Sequence, residues 1–265
     1  MKELCVIGSG NMGKSIVKGI LKAGLLETSQ VIVTDINEEK VKRIEKELSI
    51  SGSCDNQKAA AESHIVILAV KPQFYKGIIK SIQNVIKPET IIVSIAPGET
   101  LEKLERGFKE GAKIIRAMPN TPAMVLEGMT ALCGNSNVTK IEMEHIKKLF
   151  NGFGRVEEVP EYMMNSVVGI SGSSPAYVCL LIEAMADAAV KEGVNRQQAY
   201  TFSEQAVMGS AKLLLETSMS PSELKDMVCS PGGTSIEAVS VLEEKGFRGS
   251  VIKAVEACVK KSMEL

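Results

Sequence analysis

Three features of the sequence predict an α/β fold. Short apolar, β-branched runs alternate with amphipathic stretches through the first half. A glycine-rich turn, Gly8-Ser9-Gly10-Asn11-Met12-Gly13, joins the first such run to the first amphipathic stretch, and after about Pro160 the strand-like runs give way to Ala-rich helical segments. Nearly continuous Val/Ile runs suit strands buried on both faces, and their alternation with helices implies a parallel sheet built from right-handed crossovers. The expected strands are Glu3–Gly8, Gln30–Asp35, Ile65–Val70, Ile91–Ile95 and Lys113–Ala117, with helices over Met12–Ala23, Glu38–Leu48, Gln73–Ile86 and Thr100–Gly107. Met129–Leu132 and Arg155–Val159 are further strand candidates around a helix at Val138–Phe150. The architecture expected is an N-terminal doubly wound, Rossmann-type parallel sheet over residues 1–159 and an all-α domain over residues 160–265.

Composition narrows the class. The chain has 265 residues, 45% hydrophobic and 24% charged, with a formal charge of −1 and no Trp. That balance suits a globular enzyme and supplies no field to recruit nucleic acid or an anionic membrane. No uninterrupted apolar run reaches the length of about 18 residues that suggests a membrane span. The short apolar stretch after Met1 runs straight into the glycine turn, unlike a signal peptide. The six cysteines are scattered without CxxC or CxH spacing, so reduced thiols and a cytoplasmic location are expected, with no metal site.

The glycine turn follows a strand and opens a helix, the context that gives GxGxxG its meaning. Gly8 permits the tight turn, Gly10 lets a pyrophosphate approach the backbone, and Gly13 allows close packing of helix on sheet. The helix N-terminus offers unpaired N–H groups and partial positive charge to the phosphates. Asp35, at the end of the second strand, stands where a ribose-binding acid belongs, and a carboxylate there favours NADH over NADPH. Alternatively, Asp35 or Asn37 simply caps the helix beginning near Glu38. Loops at Ala69–Gln73, Ser94–Gly98 and Met118–Pro122 leave the carboxyl edge of later strands, where ligands lie in an open parallel sheet.

In the second half, Ala176–Val190 is apolar almost all round, relieved mainly by Glu183 and Asp187. A helix with so little polar face is enclosed by others. A helical dimer interface is expected, with an internal core helix as the alternative. The run Ser230-Pro231-Gly232-Gly233-Thr234-Ser235 precedes a helical stretch, and paired glycines there can expose consecutive N–H groups as a nest for a carboxylate. A plain Ser/Thr helix cap is the other reading.

Taken in order, IGSGNMG, AVKPQ, SIAPGE, RAMPNTPA, GISGSSPAY and SPGGTSIEAV resemble the pyrroline-5-carboxylate reductase family along the whole chain. The resemblance implies NAD(P)H-dependent reduction of 1-pyrroline-5-carboxylate to proline by an intertwined homodimer, often assembled into larger rings. By motif it implies that Gly8, Gly10, Asn11, Met12 and Gly13 hold the pyrophosphate, with Asp35 and Asn56 at the adenosine end. Val70, Lys71, Pro72, Ala96, Asn120 and Thr121 then line the nicotinamide side. Ser230, Gly232, Gly233, Thr234 and Ser235 take the substrate carboxylate, with the Ser235 hydroxyl on the ring nitrogen as the catalytic group. Three positions depart from the usual pattern: Ser235 stands for Thr, Ser174 for Gly, and Pro97 for a small residue with a free N–H.

Reducing a cyclic imine needs orientation more than acid–base machinery, in keeping with only two histidines, His64 and His145. Neither has a partner at ligand or triad spacing, so both are expected to be surface or packing residues. The competing readings are a carbonyl reductase of the β-hydroxyacid dehydrogenase or ketopantoate reductase type, with Lys191 or Lys212 as proton donor, and a non-catalytic dinucleotide-sensing dimer.

Overall fold

The computed structural model describes residues 1–264. Its first half runs β1 (Lys2–Ile7), α1 (Asn11–Lys22), β2 (Val31–Thr34), α2 (Glu38–Leu48), β3 (Ser51–Ser53), α3 (Asn56–Ala61) and β4 (Ser63–Leu68). It continues through α4 (Tyr75–Ile82), β5 (Ile91–Ser94), α5 (Leu101–Glu105), β6 (Lys113–Pro119), β7 (Gly128–Gly134), α6 (Lys140–Phe150) and β8 (Gly154–Glu158). These strands form one sheet in the order β3-β2-β1-β4-β5-β6-β7-β8. The chain winds outward from β1 to β3, then crosses to β4 beside β1. The crevice of such a sheet therefore lies at the carboxyl ends of β1 and β4.

Strand alternation places one hydrophobic core on each face. Leu4 and Val6 pack with Ile16, Val17 and Ile20 of α1 and Ile146 and Leu149 of α6. Cys5 and Ile7 face the other way, toward Ala59 and Ala60 of α3, Ile79 and Ile82 of α4, and Leu104 of α5. Two covered faces explain why the strands read as continuous Val/Ile runs.

The parallel sheet expected from the sequence holds for β1 to β6; β7 pairs antiparallel with β6, and β8 runs parallel to β7. The cause is the connection from Asn120 to Glu127, shorter than the dozen or so residues that a parallel crossover needs. Two small elements escape the apolar pattern altogether. β3 is Ser-Gly-Ser, held through the Gly52 N–H on Glu45 Oε1 at 2.9 Å, and α3 is a short helix capped by Asp55.

The second half is helical: α7 (Met164–Val167), α8 (Ser174–Lys191), α9 (Arg196–Thr217), α10 (Pro221–Val228), α11 (Thr234–Glu244) and α12 (Phe247–Met263). A π-helical turn at Val168–Gly172 stands between α7 and α8. Strands end near residue 159, where the sequence places its boundary, but the compact units divide later. One comprises Met1–Ser173 together with the chain from Cys258 onward, the other Ser174–Ala257. Within the first unit the end of α12 is fastened by Cys258 Sγ on Ser173 Oγ at 3.2 Å and Ser262 Oγ on Asn165 Oδ1 at 2.9 Å.

The helical unit buries little by itself. Of α8 only Ala186 is fully buried, and Leu180, Phe202, Met208 and Leu215 are exposed. The helical run Glu161–Lys191 also contains an 18-residue window apolar enough, by length and composition, to cross a membrane, with 6% of that window buried. The sequence still holds no uninterrupted apolar run of that length, because Ser, Gly and charged residues break up the letters, while mean hydropathy over the window is high. The internal-core alternative for this helix finds little support within its own unit, where only Ala186 is fully buried.

Arg116, on β6 and nearly inaccessible, donates from Nη1 to Glu161 Oε1 at 2.7 Å, and the same oxygen accepts the Leu101 N–H at 2.7 Å. One carboxylate thus ties the central sheet to the start of α5 and to the segment that leads into the helices. Glu161→Ala strands a buried guanidinium. The expected loss of unfolding free energy is about 3 kcal/mol, the lower end for breaking a buried pair because Glu161 is partly open to water; a urea titration measures it.

Candidate active site

The glycine turn sits at the carboxyl end of β1, and its three glycines face different constraints. Gly8 has φ +112°, and a Cβ there would lie 2.5 Å from the Ala69 carbonyl oxygen. A Cβ at Gly13 would run into the Gly8 carbonyl. Both glycines are therefore required by the protein's own packing. At Gly10 a Cβ would meet nothing within 4 Å. No internal contact demands glycine there.

Asp35 braces this turn. Its Oδ2 accepts from the Ser9 N–H at 3.1 Å and the Ser9 hydroxyl at 2.7 Å, and its Oδ1 from the Asn37 N–H at 3.0 Å. Burial alone would raise the carboxyl; these three donors, with Lys40 nearby, outweigh it and hold the group below its ordinary value. The capping alternative resolves in favour of Asn37, whose Oδ1 accepts the Lys40 N–H at 3.0 Å. Asn56, first residue of α3, takes the Thr34 hydroxyl on its Oδ1 at 2.6 Å, beside the end of β2.

The β4 and β5 loops are tied together by a residue the sequence reading missed. Tyr75 is buried, donates to the Leu68 carbonyl at 2.7 Å and accepts from Ser94 Oγ at 3.1 Å. Burial pushes its phenol up to about 12, so it remains a neutral strut at physiological pH. Val70, Lys71 and Pro72 lie just beyond one tied strand and Ala96 just beyond the other, with Ala96 buried and Lys71 and Pro72 exposed. Pro97 precedes Gly98, whose carbonyl takes Lys103 Nζ at 2.9 Å. Thr121 opens a short 3-10 turn and is exposed.

Asn120 is buried and its carboxamide is engaged at both ends. Oδ1 accepts the Met129 N–H at 2.8 Å, while Nδ2 donates to the Ser171 carbonyl at 3.2 Å and to Ser171 Oγ at 3.3 Å. It joins the MPNTPA and GISGSSPAY motifs, far apart in sequence.

The two histidines lie away from this edge. His64 Nδ1 and His145 Nε2 both reach the Glu3 carboxylate, at 2.9 and 3.1 Å, near the amino end of β1.

In the helical unit, Gly232 has φ +69° and Gly233 is the N-cap of α11, its N–H on the Ser230 carbonyl at 3.0 Å. No side chain caps α11, which sets aside the plain Ser/Thr cap. Helix α1 likewise starts from a glycine, Gly10, without a side-chain cap. By contrast α2, α3, α5, α6, α9 and α10 are closed by Asn37, Asp55, Thr100, Thr139, Asn195 and Ser220. The two glycine-rich runs singled out by the sequence thus leave first-turn N–H groups available to anions. Ser230 and Thr234 are exposed and Ser235 is half-buried in the first turn of α11.

Residues 161–265 match the family described as pyrroline-5-carboxylate reductase dimerisation, and residues 3–98 match NADP oxidoreductase, coenzyme F420-dependent. A pyrroline-5-carboxylate reductase of Escherichia coli (strain K12) is 47% identical over 264 residues, covering 100% of this chain and 98% of the relative. The chain belongs to the pyrroline-5-carboxylate reductase family. Among solved structures, the Coxiella burnetii reductase superposes with a TM-score of 0.94 at 32% identity, covering 99% of this chain and 98% of that one. The Plasmodium falciparum reductase with NADP bound gives 0.88 at 30% identity, covering 99% and 97%.

The glycines' different constraints separate folding from binding. Gly10→Ala, whose Cβ meets nothing within 4 Å, should melt within about 4 °C of the parent, yet lose at least about tenfold in dinucleotide affinity if phosphate approaches there. Gly13→Val should lower the melting temperature itself. Thermal melts paired with nicotinamide fluorescence titrations read both.

Proposed function

We propose that the chain reduces 1-pyrroline-5-carboxylate to L-proline with NADPH or NADH, the last step of proline biosynthesis. The observation that carries this reading is the pair of uncapped, glycine-led helices α1 and α11 in a chain of this family. One suits the pyrophosphate of a dinucleotide, the other the carboxylate of a small substrate. The cradle at Gly10 fits the dinucleotide in particular, since a side chain there would occupy the approach.

In this reading Gly8, Gly10, Asn11, Met12 and Gly13 hold the pyrophosphate. Val70, Lys71, Pro72, Ala96 and Thr121 line the nicotinamide side, with Asn120 at its base. When bound, the reduced nicotinamide supplies the hydride. The N–H groups from Gly232 to Ser235, with Ser230 and Thr234, hold the substrate carboxylate. The Ser235 hydroxyl meets the ring nitrogen, orienting it and handling the proton that it gains as the carbon–nitrogen double bond is reduced. Ser235 keeps the hydroxyl of the family's usual Thr and lacks only its methyl. An imine of this kind needs no strong acid, which suits histidines committed to Glu3. The carbonyl-reductase alternative finds little support, since Lys191 and Lys212 are both exposed and Lys212 pairs with Glu216 at 3.6 Å.

For coenzyme choice, Asp35 carries two donors on Oδ2 and one on Oδ1, leaving acceptor capacity for one ribose hydroxyl. An ionised carboxylate there repels a 2′-phosphate, which favours NADH; Asn56 completes the adenosine end. The exposed apolar residues of the helical unit are covered by a second copy in a homodimer, with larger rings of dimers above it. The enzyme acts in the cytoplasm on a small molecule, without nucleic acid or membrane.

Absorbance at the nicotinamide band, with pyrroline-5-carboxylate and each coenzyme in turn, tests the reaction; oxidation with 2-keto acids but not with the cyclic imine would replace it. Ser235→Ala should lower kcat about 10²-fold, the lower range for general acid catalysis, while coenzyme affinity stays within about twofold. Sedimentation should give a dimer or larger, and Leu180→Asp, placing a charge on the exposed apolar face of α8, should shift it toward monomer.

A further inference from the structure

We propose that Ser9 is a specificity-determining residue for the coenzyme: by holding one oxygen of Asp35 it fixes the carboxylate that meets the adenosine ribose, and so keeps the 2′-phosphate of NADPH disfavoured. The inference rests on the proposed place of Asp35 at that ribose, and deepens it by naming what makes the carboxylate selective.

Ser9 stands between the first two glycines of the turn, a position that GxGxxG leaves open to any residue. Its N–H and its hydroxyl both donate to Asp35 Oδ2, at 3.1 and 2.7 Å. The arrangement carries the pairing of β1 with β2 beyond its last rung. The Gly8 N–H still finds a backbone acceptor, the Thr34 carbonyl at 2.7 Å; one residue on, the Ser9 N–H finds the side chain of Asp35 instead. The Asp35 main chain is anchored too, its N–H on the Ser53 carbonyl at 3.3 Å.

A carboxylate has room for about four donors. Ser9 fills both positions on Oδ2, and the Asn37 N–H takes one on Oδ1 at 3.0 Å. With both oxygens engaged, the carboxylate cannot turn without breaking a hydrogen bond to a charged group. One acceptor position remains, on Oδ1. It suits a 2′-hydroxyl, whereas a phosphate in the same place meets a negative charge that is not free to swing aside, and like charges so placed disfavour the wrong partner. Burial alone works against the charge, and the Asn37 and Ser9 contacts, with Lys40 nearby, offset it. Ser9 and Asp35 are both half-buried, so the pair is open to a ligand on one side.

The dissociation constants of NADPH and NADH are measured by nicotinamide fluorescence titration, without turnover, and compared as the ratio of the first to the second. Any effect of Ser9 on the approach of the pyrophosphate is common to both coenzymes and cancels in this ratio. Ser9→Ala, Asp35→Ala and the double variant complete a cycle with the parent. Ser9→Ala should lower the ratio about fivefold, short of the tenfold or so for a hydrogen bond to a charged group, because the N–H of residue 9 stays. Asp35→Ala should lower it at least about tenfold by removing the like charge. In the Asp35→Ala background the change at Ser9 should move the ratio by less than about 1.5-fold, since its effect passes through the carboxylate. An unchanged or raised ratio in Ser9→Ala, or the same fall with and without Asp35, would overturn the proposal. A fall in Asp35→Ala with none in Ser9→Ala removes the role of Ser9 alone. A ratio in Asp35→Ala equal to the parent's removes the ribose assignment and the proposal together.

Discussion

The close approach of the β1 and β4 ends governs the N-terminal unit. Gly8 turns with φ +112° against the Ala69 carbonyl, and Gly13 brings α1 down onto Gly8. No side chain fits between these elements, so the start of α1 is drawn over the point where the strand order reverses. The other supports secure the surrounding loops. Asp35 gathers the turn through Ser9, Tyr75 links the β4 and β5 ends, and Glu161 joins β6 to α5. Each is a polar group with its partners in place; no buried side-chain nitrogen or oxygen lacks a partner among the described residues.

On that frame, six helices are closed by a side chain at the first turn, while α1 and α11 start from an uncapped glycine. Replacing a capping side chain by glycine costs only roughly a few tenths of a kcal/mol, so leaving it out at two glycine-led turns is a small local loss of stability. The loss is recovered when an anion binds, since ligand that binds only the folded form stabilises it. In the proposed reaction those anions are a dinucleotide pyrophosphate and a small carboxylate.

Much of this was legible in the letters. Apolar runs marked β1, β2, β4, β5 and β6, because strands buried on both faces must be apolar throughout, and α2 was read with its observed ends because Asn37 and Glu38 announce its start. The two glycine motifs were visible for the same local reason: turn chemistry is written in adjacent residues. What escaped was long-range or lacked apolar signal. β3 is three small polar residues, and the reversal at β7 depends on loop length rather than pattern. The pairs Asn120–Ser171, Arg116–Glu161 and Glu3 with two histidines join residues 45 to 142 positions apart, and no spacing rule connects them. The compact units, too, are set by where α12 ends its path, which hydropathy does not record.

That path has a topological meaning. The chain leaves the sheet-bearing body at Ser173 and re-enters it at Cys258, and these two side chains touch at 3.2 Å. Everything between them is therefore a closed excursion with neighbouring entrance and exit, an insert rather than an appendage. The second crossing lies within helix α12, so the two units share one continuous element at the exit and a turn at the entrance. The sheet-bearing body thus keeps both ends of the chain, with the helical unit looped out between two neighbouring points.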